Sequence, residues 1–189
     1  MQARRVLVED DDDRQLLDRF RGGDREAFTQ LVVRYQKPIY NAAFWVLRKA
    51  EDASDVTQTV FLKVVERLDD YDPQYKFFSW IYRIAVNESL NLLRRNGHED
   101  ELDDDADYES PATGSPEWQL GERERSRRLQ EALMSLPTND RVVLTLRHFS
   151  ECSYEEIAEV LEIAEKTVKS RLFDARQRLR ALLDDLRVH

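Results

Sequence analysis

A chain of 189 residues has room for one or two small domains, and its 41% hydrophobic content suffices to build their cores. The single Cys152 excludes an internal disulfide, three scattered histidines give no metal-ligand spacing, and no stretch approaches the roughly 20 consecutive apolar residues of a membrane span. The net charge of −9 would disfavour a polyanionic partner if it were evenly spread, but nine acidic residues and no Lys or Arg lie between Gly97 and Glu117, and five more form the Glu9 to Asp13 block. The expectation is a cytoplasmic chain without a cofactor, whose acidity sits in a tail and a linker.

Residues 1–13 are short, acidic and without periodicity, and read as a disordered N-terminus. A helix over Arg14 to Arg21 is closed by Gly22 and Gly23. Asp24 then caps a long helix to about Arg48, in which Pro38 removes one backbone donor and predicts a kink. The third helix, from about Asp52 to Leu68, carries an apolar stripe of Val56, Val60, Val64 and Leu68, widened by Phe61 and Val65. Asp55, Gln58, Thr59, Leu62 and Glu66 fall on its opposite side. Leu62 is an apolar group on a polar face, which is ordinary for a single surface leucine and by itself weak evidence for docking.

After a turn-like stretch from Asp69 to Gln74, a fourth helix runs from about Phe77 to Arg95. Its approach and first turns combine Tyr75, Phe77, Phe78, Trp80 and Tyr82 with Lys76, Arg83, Arg94 and Arg95. Aromatic faces can stack on unpaired bases while cations hold the backbone, as a single-strand binder requires. Trp80, Ile81, Ile84 and Ala85 follow core spacing, so Trp80 reads first as packing; Phe77 and Phe78, at the helix mouth, fit either role.

Residues 97–117 hold too little apolar surface to offset the entropy of ordering them, and read as a flexible acidic linker between a domain over 14–96 and another over 118–189. Helical periodicity returns near 117–135, 138–149, 154–161 and 165–186, with no period-two alternation anywhere. Ser153 and Glu156 form a capping box ahead of the stripe Ile157, Ala158 and Leu161. A tight turn from Glu162 to Ala164 leads into a helix that turns Val168, Leu172, Ala175 and Leu179 inward and Lys166, Lys169, Ser170, Phe173, Gln177 and Arg180 outward. Six Lys and Arg against Glu165 and Asp174 leave this helix at +4. The pattern is a helix-turn-helix with a cationic second helix, suited to a polyanion; the bland alternative is a solvated helical hairpin. The fold class is all-α, two small helical domains with the helix-turn-helix at the C-terminal end.

Taken together, these segments resemble a bacterial sigma factor of the compact extracytoplasmic-function (ECF) group of the sigma-70 family. DVTQTVFLKVVERL, from Asp55 to Leu68, resembles that family's polymerase-binding helix, with Asp55 and Gln58 on its D-x-x-Q. FFSWIYRIAVNESLNLLRR is similar to the segment that opens and reads the minus-ten promoter element. LPTNDRVVLTLRHFSECSYEEIAEVLEIAEKTVKSRLFDARQRLR is similar to the domain that grips the minus-thirty-five element. The chain departs from the pattern at Glu162, Ala164 and Lys166, where the family often has Gly, Ser and Gly, and at Asn91, where many relatives carry Asp.

The resemblance implies a regulator of transcription that supplies no catalytic residue and directs core RNA polymerase to promoters. It assigns Asp55, Gln58, Thr59, Leu62 and Glu66 to the clamp helices of the largest polymerase subunit, and implies a second contact on the flap of the second largest. Tyr75, Lys76, Phe77, Phe78, Arg83, Asn87, Asn91, Arg94 and Arg95 are expected at the minus-ten element. Lys166, Thr167, Lys169, Ser170, Arg171, Phe173, Arg176 and Arg178 are expected at the minus-thirty-five element. An anti-sigma factor is a further implied partner; a membrane is not. The acidic linker either threads the polymerase interior or acts as a spacer that repels DNA. A helix-turn-helix regulator of the response-regulator or quorum type shares the E-I-A-x-x-L and T-V-K features, but it would pair them with an α/β receiver or ligand module, and this first domain shows no strand pattern. A helical adaptor for proteins alone would not need the cationic helix, and an enzyme would need a nucleophile, base or metal constellation that the sequence does not show. Cys152 reads as a small buried apolar group rather than a redox sensor.

Overall fold

The structure, a computed structural model, describes residues 10–95 and 126–185. Among the described residues all regular structure is helical. The linker over 97–117 and the first nine residues lie outside them.

Helix α1 (Asp10–Arg21) starts four residues before Arg14, inside the acidic block. Asp13 explains this. It is buried and accepts hydrogen bonds from Arg34 and from the Tyr35 hydroxyl, while Asp12 pairs with the same Arg34. Burial raises the Asp13 carboxyl above its ordinary range, although the bonds to Tyr35 and Arg34 pull the other way. Leu16 and Leu17 then seat α1 on the core. Gly23, at φ +93°, reverses the chain where a side chain would be strained.

Helix α2 (Arg25–Leu47) is capped by Asp24, whose Oδ1 accepts from Glu26 N at 3.0 Å and Ala27 N at 3.4 Å. Arg19 holds the other carboxylate oxygen at 2.7 Å, and this bond chiefly draws the Asp24 carboxyl down. The helix continues through Pro38 to Leu47, and Arg48 ends it in the left-handed region at φ 59°. Helix α3 (Ala50–Glu66) buries Ala53, Val56, Val60 and Val64, and a 3₁₀ turn over Leu68–Asp70 buries Leu68. Val65, expected on the inner stripe, is instead 48% exposed. It lies three residues from Leu62, so helical geometry places both on one outer face.

Helix α4 (Phe77–Arg95) closes this half. Phe77 is 1% exposed and sits among Tyr35, Tyr71 and Trp80, with ring centroids 5.4, 5.8 and 5.8 Å away. The expectation that Phe77 contacts a base is therefore corrected. Its ring is already enclosed by an aromatic cluster that anchors the start of α4.

In the second half, α5 (residues 126–134), α6 (Thr138–His148), α7 (Tyr154–Leu161) and α8 (Glu165–Asp185) surround Leu133, Val143, Leu146, Ile157, Val168, Leu172 and Ala175. The capping box is complete: Glu156 N donates to Ser153 Oγ at 3.1 Å, and Ser153 N donates to Glu156 Oε2 at 2.7 Å. Glu162 turns the chain at φ 54°, and α8 begins behind Ala164, whose carbonyl accepts from Thr167 N at 2.8 Å. The two halves touch. Trp45 stacks on Phe149 with centroids 3.8 Å apart, and α4 lies against α7.

Candidate nucleic-acid interface

Three surfaces carry the residues singled out from the sequence. On α3, Asp55, Gln58, Leu62 and Glu66 are exposed and Thr59 is half-buried, with Leu62 64% exposed. Val65 extends this patch. Two neighbouring apolar groups ringed by carboxylates and an amide make a better protein-docking face than one leucine would.

On α8, Lys166, Lys169, Ser170, Phe173, Arg176 and Arg178 are exposed, while Thr167 and Arg171 are half-buried. Phe173 is 63% exposed between cationic neighbours. Lys169 Nζ lies 2.6 Å from Glu165 and 5.8 Å from the Tyr154 ring centroid. The Ser170 hydroxyl lies within hydrogen-bonding distance of the carbonyls of Lys166 and Thr167. Arg178 is committed elsewhere: it bonds the buried carboxylate of Asp140 on α6, so it ties α8 to its own domain. This pairing spans 38 residues and has no local sequence signal.

Sequence reasoning also passed over the end of α6. The Arg147 guanidinium lies 5.0 Å from the Tyr154 centroid and donates to the Cys152 carbonyl at 2.7 Å; His148 Nε2 lies 3.4 Å from Arg176. Burial, then Arg176 and Arg147, lower the His148 pKa. The paired Arg147 and His148 just before the capping box were the available signal. Arg147 extends the cationic surface beside Tyr154, while the lowered pKa keeps His148 neutral and the first turn of α7 is itself acidic, with Glu155 and Glu156.

The α4 surface is mixed. Tyr75 and Lys76 are exposed in the loop before the helix, and Asn87, Arg94 and Arg95 are exposed along it. Asn91 is half-buried and accepts a 3.2 Å bond from Arg94. The Phe78 ring lies against Tyr82, tilted by 31° with centroids 4.3 Å apart. Arg83 is half-buried because it reaches α7, donating to Glu162 Oε1 at 3.0 Å and to the Glu159 carbonyl at 2.8 Å. Among the described residues there is no cluster that could hold a metal ion, and no helix is long and apolar enough to cross a membrane.

Arg48, beside this region, is a buried charge. Its guanidinium lies over Phe44 and Trp45 at 4.6 and 5.2 Å, and burial, then the nearby Arg141, holds its pKa down to about 10.

These surfaces fall within two recognisable units. The Sigma-70 region 2 family model matches residues 31–99, and the Sigma-70, region 4 model matches residues 126–179. The chain is 33% identical to the RNA polymerase sigma-H factor of Pseudomonas aeruginosa, over 95% of this chain and 98% of that protein. It is 34% identical to the ECF RNA polymerase sigma-E factor of Escherichia coli K12, over 87% and 91% respectively. Its fold is similar to that of CnrH in complex with the cytosolic domain of CnrY, with a TM-score of 0.70, 30% identity, and coverage of 92% of this chain and 98% of that one. It is also similar to the sigma factor RpoE of Bartonella quintana in complex with the anti-sigma factor NepR, with a TM-score of 0.63, 26% identity, and coverage of 83% and 96%. An exposed cationic helix-turn-helix helix, a carboxylate-rimmed apolar patch and two sigma-70 regions in order lead to one conclusion: this chain belongs to the sigma-70 family, as an alternative sigma factor of its ECF group.

Proposed function

We propose that the chain works in the cytoplasm as a dissociable initiation subunit: it docks on core RNA polymerase, grips a duplex element with α8 and captures the opened strand with the α4 region. The observation that carries this is the α8 face, where Lys166, Lys169, Ser170 and Phe173 are exposed together on a helix of net positive charge within an acidic chain. Side chains of this kind at the start of a recognition helix read base edges in the major groove, while flanking arginines hold phosphates. Here Arg171 and Arg176 take the phosphate role, and Arg178 positions the helix.

Asp55, Gln58, Leu62, Val65 and Glu66 present the docking face for the polymerase clamp helices, with Thr59 at its edge, and the second domain engages the flap. Tyr75, Lys76, Phe78 and Arg83 form the strand-capturing end of the first domain. Asn87, Asn91, Arg94 and Arg95 reach the upstream part of the minus-ten element. Unstacking a base costs a few kcal/mol, which stacking on an aromatic side chain recovers in part. Bond formation belongs to the polymerase, so no general base or nucleophile is needed on this chain.

An anti-sigma factor is the natural antagonist. One structural relative is described in complex with a protein so named, which supports a partner of this class for the present chain. The reading as a regulator of the response-regulator type is disfavoured, because sigma-70 region 2 occupies residues 31–99, where a receiver would stand. The testing experiment is co-elution with purified core polymerase on gel filtration. A stable complex supports the proposal; separate elution at micromolar concentrations contradicts it.

A further inference from the structure

The outward face of α8 carries a carboxylate among its cations. Asp174 stands four residues after Ser170, one after Phe173 and three before Gln177, so helical spacing sets these four side chains on one face, and all four are exposed. Glu165 and Asp184, on the same helix, are matched by cations: Glu165 lies 2.6 Å from Lys169 Nζ, and Asp184 lies 4.0 Å from Arg180 Nε. Asp174 has no hydrogen-bond or ion-pair partner among the described residues. Arg178, one turn ahead, bonds Asp140 of α6 instead. Ser170, one turn back, keeps its hydroxyl near the carbonyls of Lys166 and Thr167, at 3.3 and 3.1 Å. An unmatched carboxylate on this face repels phosphates and lowers the affinity for any duplex. It also accepts hydrogen bonds and donates none. In the major groove guanine and thymine present only acceptors to such a group, and adenine sets its N7 acceptor beside its N6 amine. Cytosine presents its N4 amine with no acceptor on its own edge.

We propose that Asp174 is a specificity residue: its carboxylate accepts a hydrogen bond from the N4 amine of a cytosine in the duplex element gripped by α8, and it selects that base while lowering the overall affinity. This role rests on the functional reading above and takes it from a cationic grip to one named base. Discrimination works by repulsion as well as attraction. Guanine, thymine or adenine at the same position turns an acceptor toward the carboxylate, which has no proton to offer it. Arg171 and Arg176 hold the helix on the backbone, so the cost of one misplaced acceptor falls on the choice of base rather than on docking.

The test selects duplexes from a randomised library with core polymerase plus the full chain, for the parent, Asp174→Ala and Glu155→Gln. Asp174 is exposed and alanine is a strong helix former, so Asp174→Ala keeps the fold. Glu155 is exposed on α7, and its substitution removes the same charge elsewhere in the domain. The parent and Glu155→Gln should enrich one element with cytosine at a position that Asp174→Ala leaves open to all four bases, the rest of the element being unchanged. Affinity for unselected duplex should rise about two- to fivefold with Asp174→Ala. In the selected element, N4-methylcytosine at that position keeps its pair with guanine but turns a methyl group into the major groove in place of the free N–H. It should weaken binding of the parent about fivefold or more, and of Asp174→Ala by less than about twofold. The same bases enriched by the parent and Asp174→Ala, loss of the cytosine in Glu155→Gln as well, or an equal response of parent and Asp174→Ala to N4-methylcytosine would overturn the proposal while leaving the initiation reading standing. Enrichment of no element by the parent would refute the initiation reading itself, and the proposal with it.

Discussion

Leu62→Ala separates docking from folding. Leu62 is 64% exposed on the polar face of α3, so the folded chain loses little when it is shortened. Surface substitutions of this kind change stability by no more than about 0.5 kcal/mol, a shift in Tm of about 2 to 4 °C at most for a domain of this size. Burying a whole leucine side chain is worth about 1.5 to 3 kcal/mol, so the exposed two thirds of Leu62 represents about 1 to 2 kcal/mol available to a partner. If the polymerase covers it, the Kd for core enzyme should rise by about five- to thirtyfold. The assay is fluorescence anisotropy of labelled protein titrated with core polymerase, beside a thermal melt of each variant. Phe173→Ala is the matched control, since Phe173 is 63% exposed but lies on α8, and its removal should leave that Kd within about twofold. A Leu62→Ala variant that binds core as tightly as the parent, or one that binds weakly because its melting temperature has collapsed, would refute the reasoning.

Three further outcomes follow from the geometry. Ser153→Ala breaks one side of the α7 capping box and should destabilise the C-terminal domain by about 1 kcal/mol in urea unfolding; an unchanged midpoint would mean that the cap contributes nothing. Arg48→Met keeps an unbranched side chain against Phe44 and Trp45 while removing a 5% exposed cation near Arg141, and should raise stability by about 1 kcal/mol; a comparable loss would show that the ring contacts outweigh the buried charge. His148 has a folded pKa below 6.5, so as pH falls through 6.5 the unfolded chain takes up its proton first. Stability should therefore decline as pH drops below about 6.5 and level off below the folded pKa, and His148→Asn should flatten that part of the profile; a slope unchanged by the substitution would assign it to another group.

Much of this was legible in the sequence because it is written in short-range periodicity. The stripe Val56, Val60, Val64, the capping box at Ser153 and the outward set on α8 each involve residues within a few turns of one another, and each stands where the spacing puts it. What escaped depends on distant partners. The early start of α1 rests on Asp13 meeting Arg34 and Tyr35, 21 and 22 residues away, so an acidic run that reads as a solvated tail gains fixed counter-groups. Phe77 looked equally suited to packing and to base contact because the aromatic cluster enclosing it draws on α2 and the 71–76 loop as well as on α4. Val65 was misplaced for a different reason. It borders the apolar stripe closely enough that only the packed width of α3 decides its side. The contact of α4 with α7 joins residues about 80 apart and no local pattern announces it.

The central claim is that this chain confers promoter choice on a polymerase that lacks it. Purified core enzyme should be incubated with a fragment library of bacterial genomic DNA, with and without the chain, and the 5′ ends of the transcripts mapped. The account predicts discrete start sites that share a common upstream element and appear only when both proteins are present. Transcripts that start at the same scattered positions with or without the chain would contradict it.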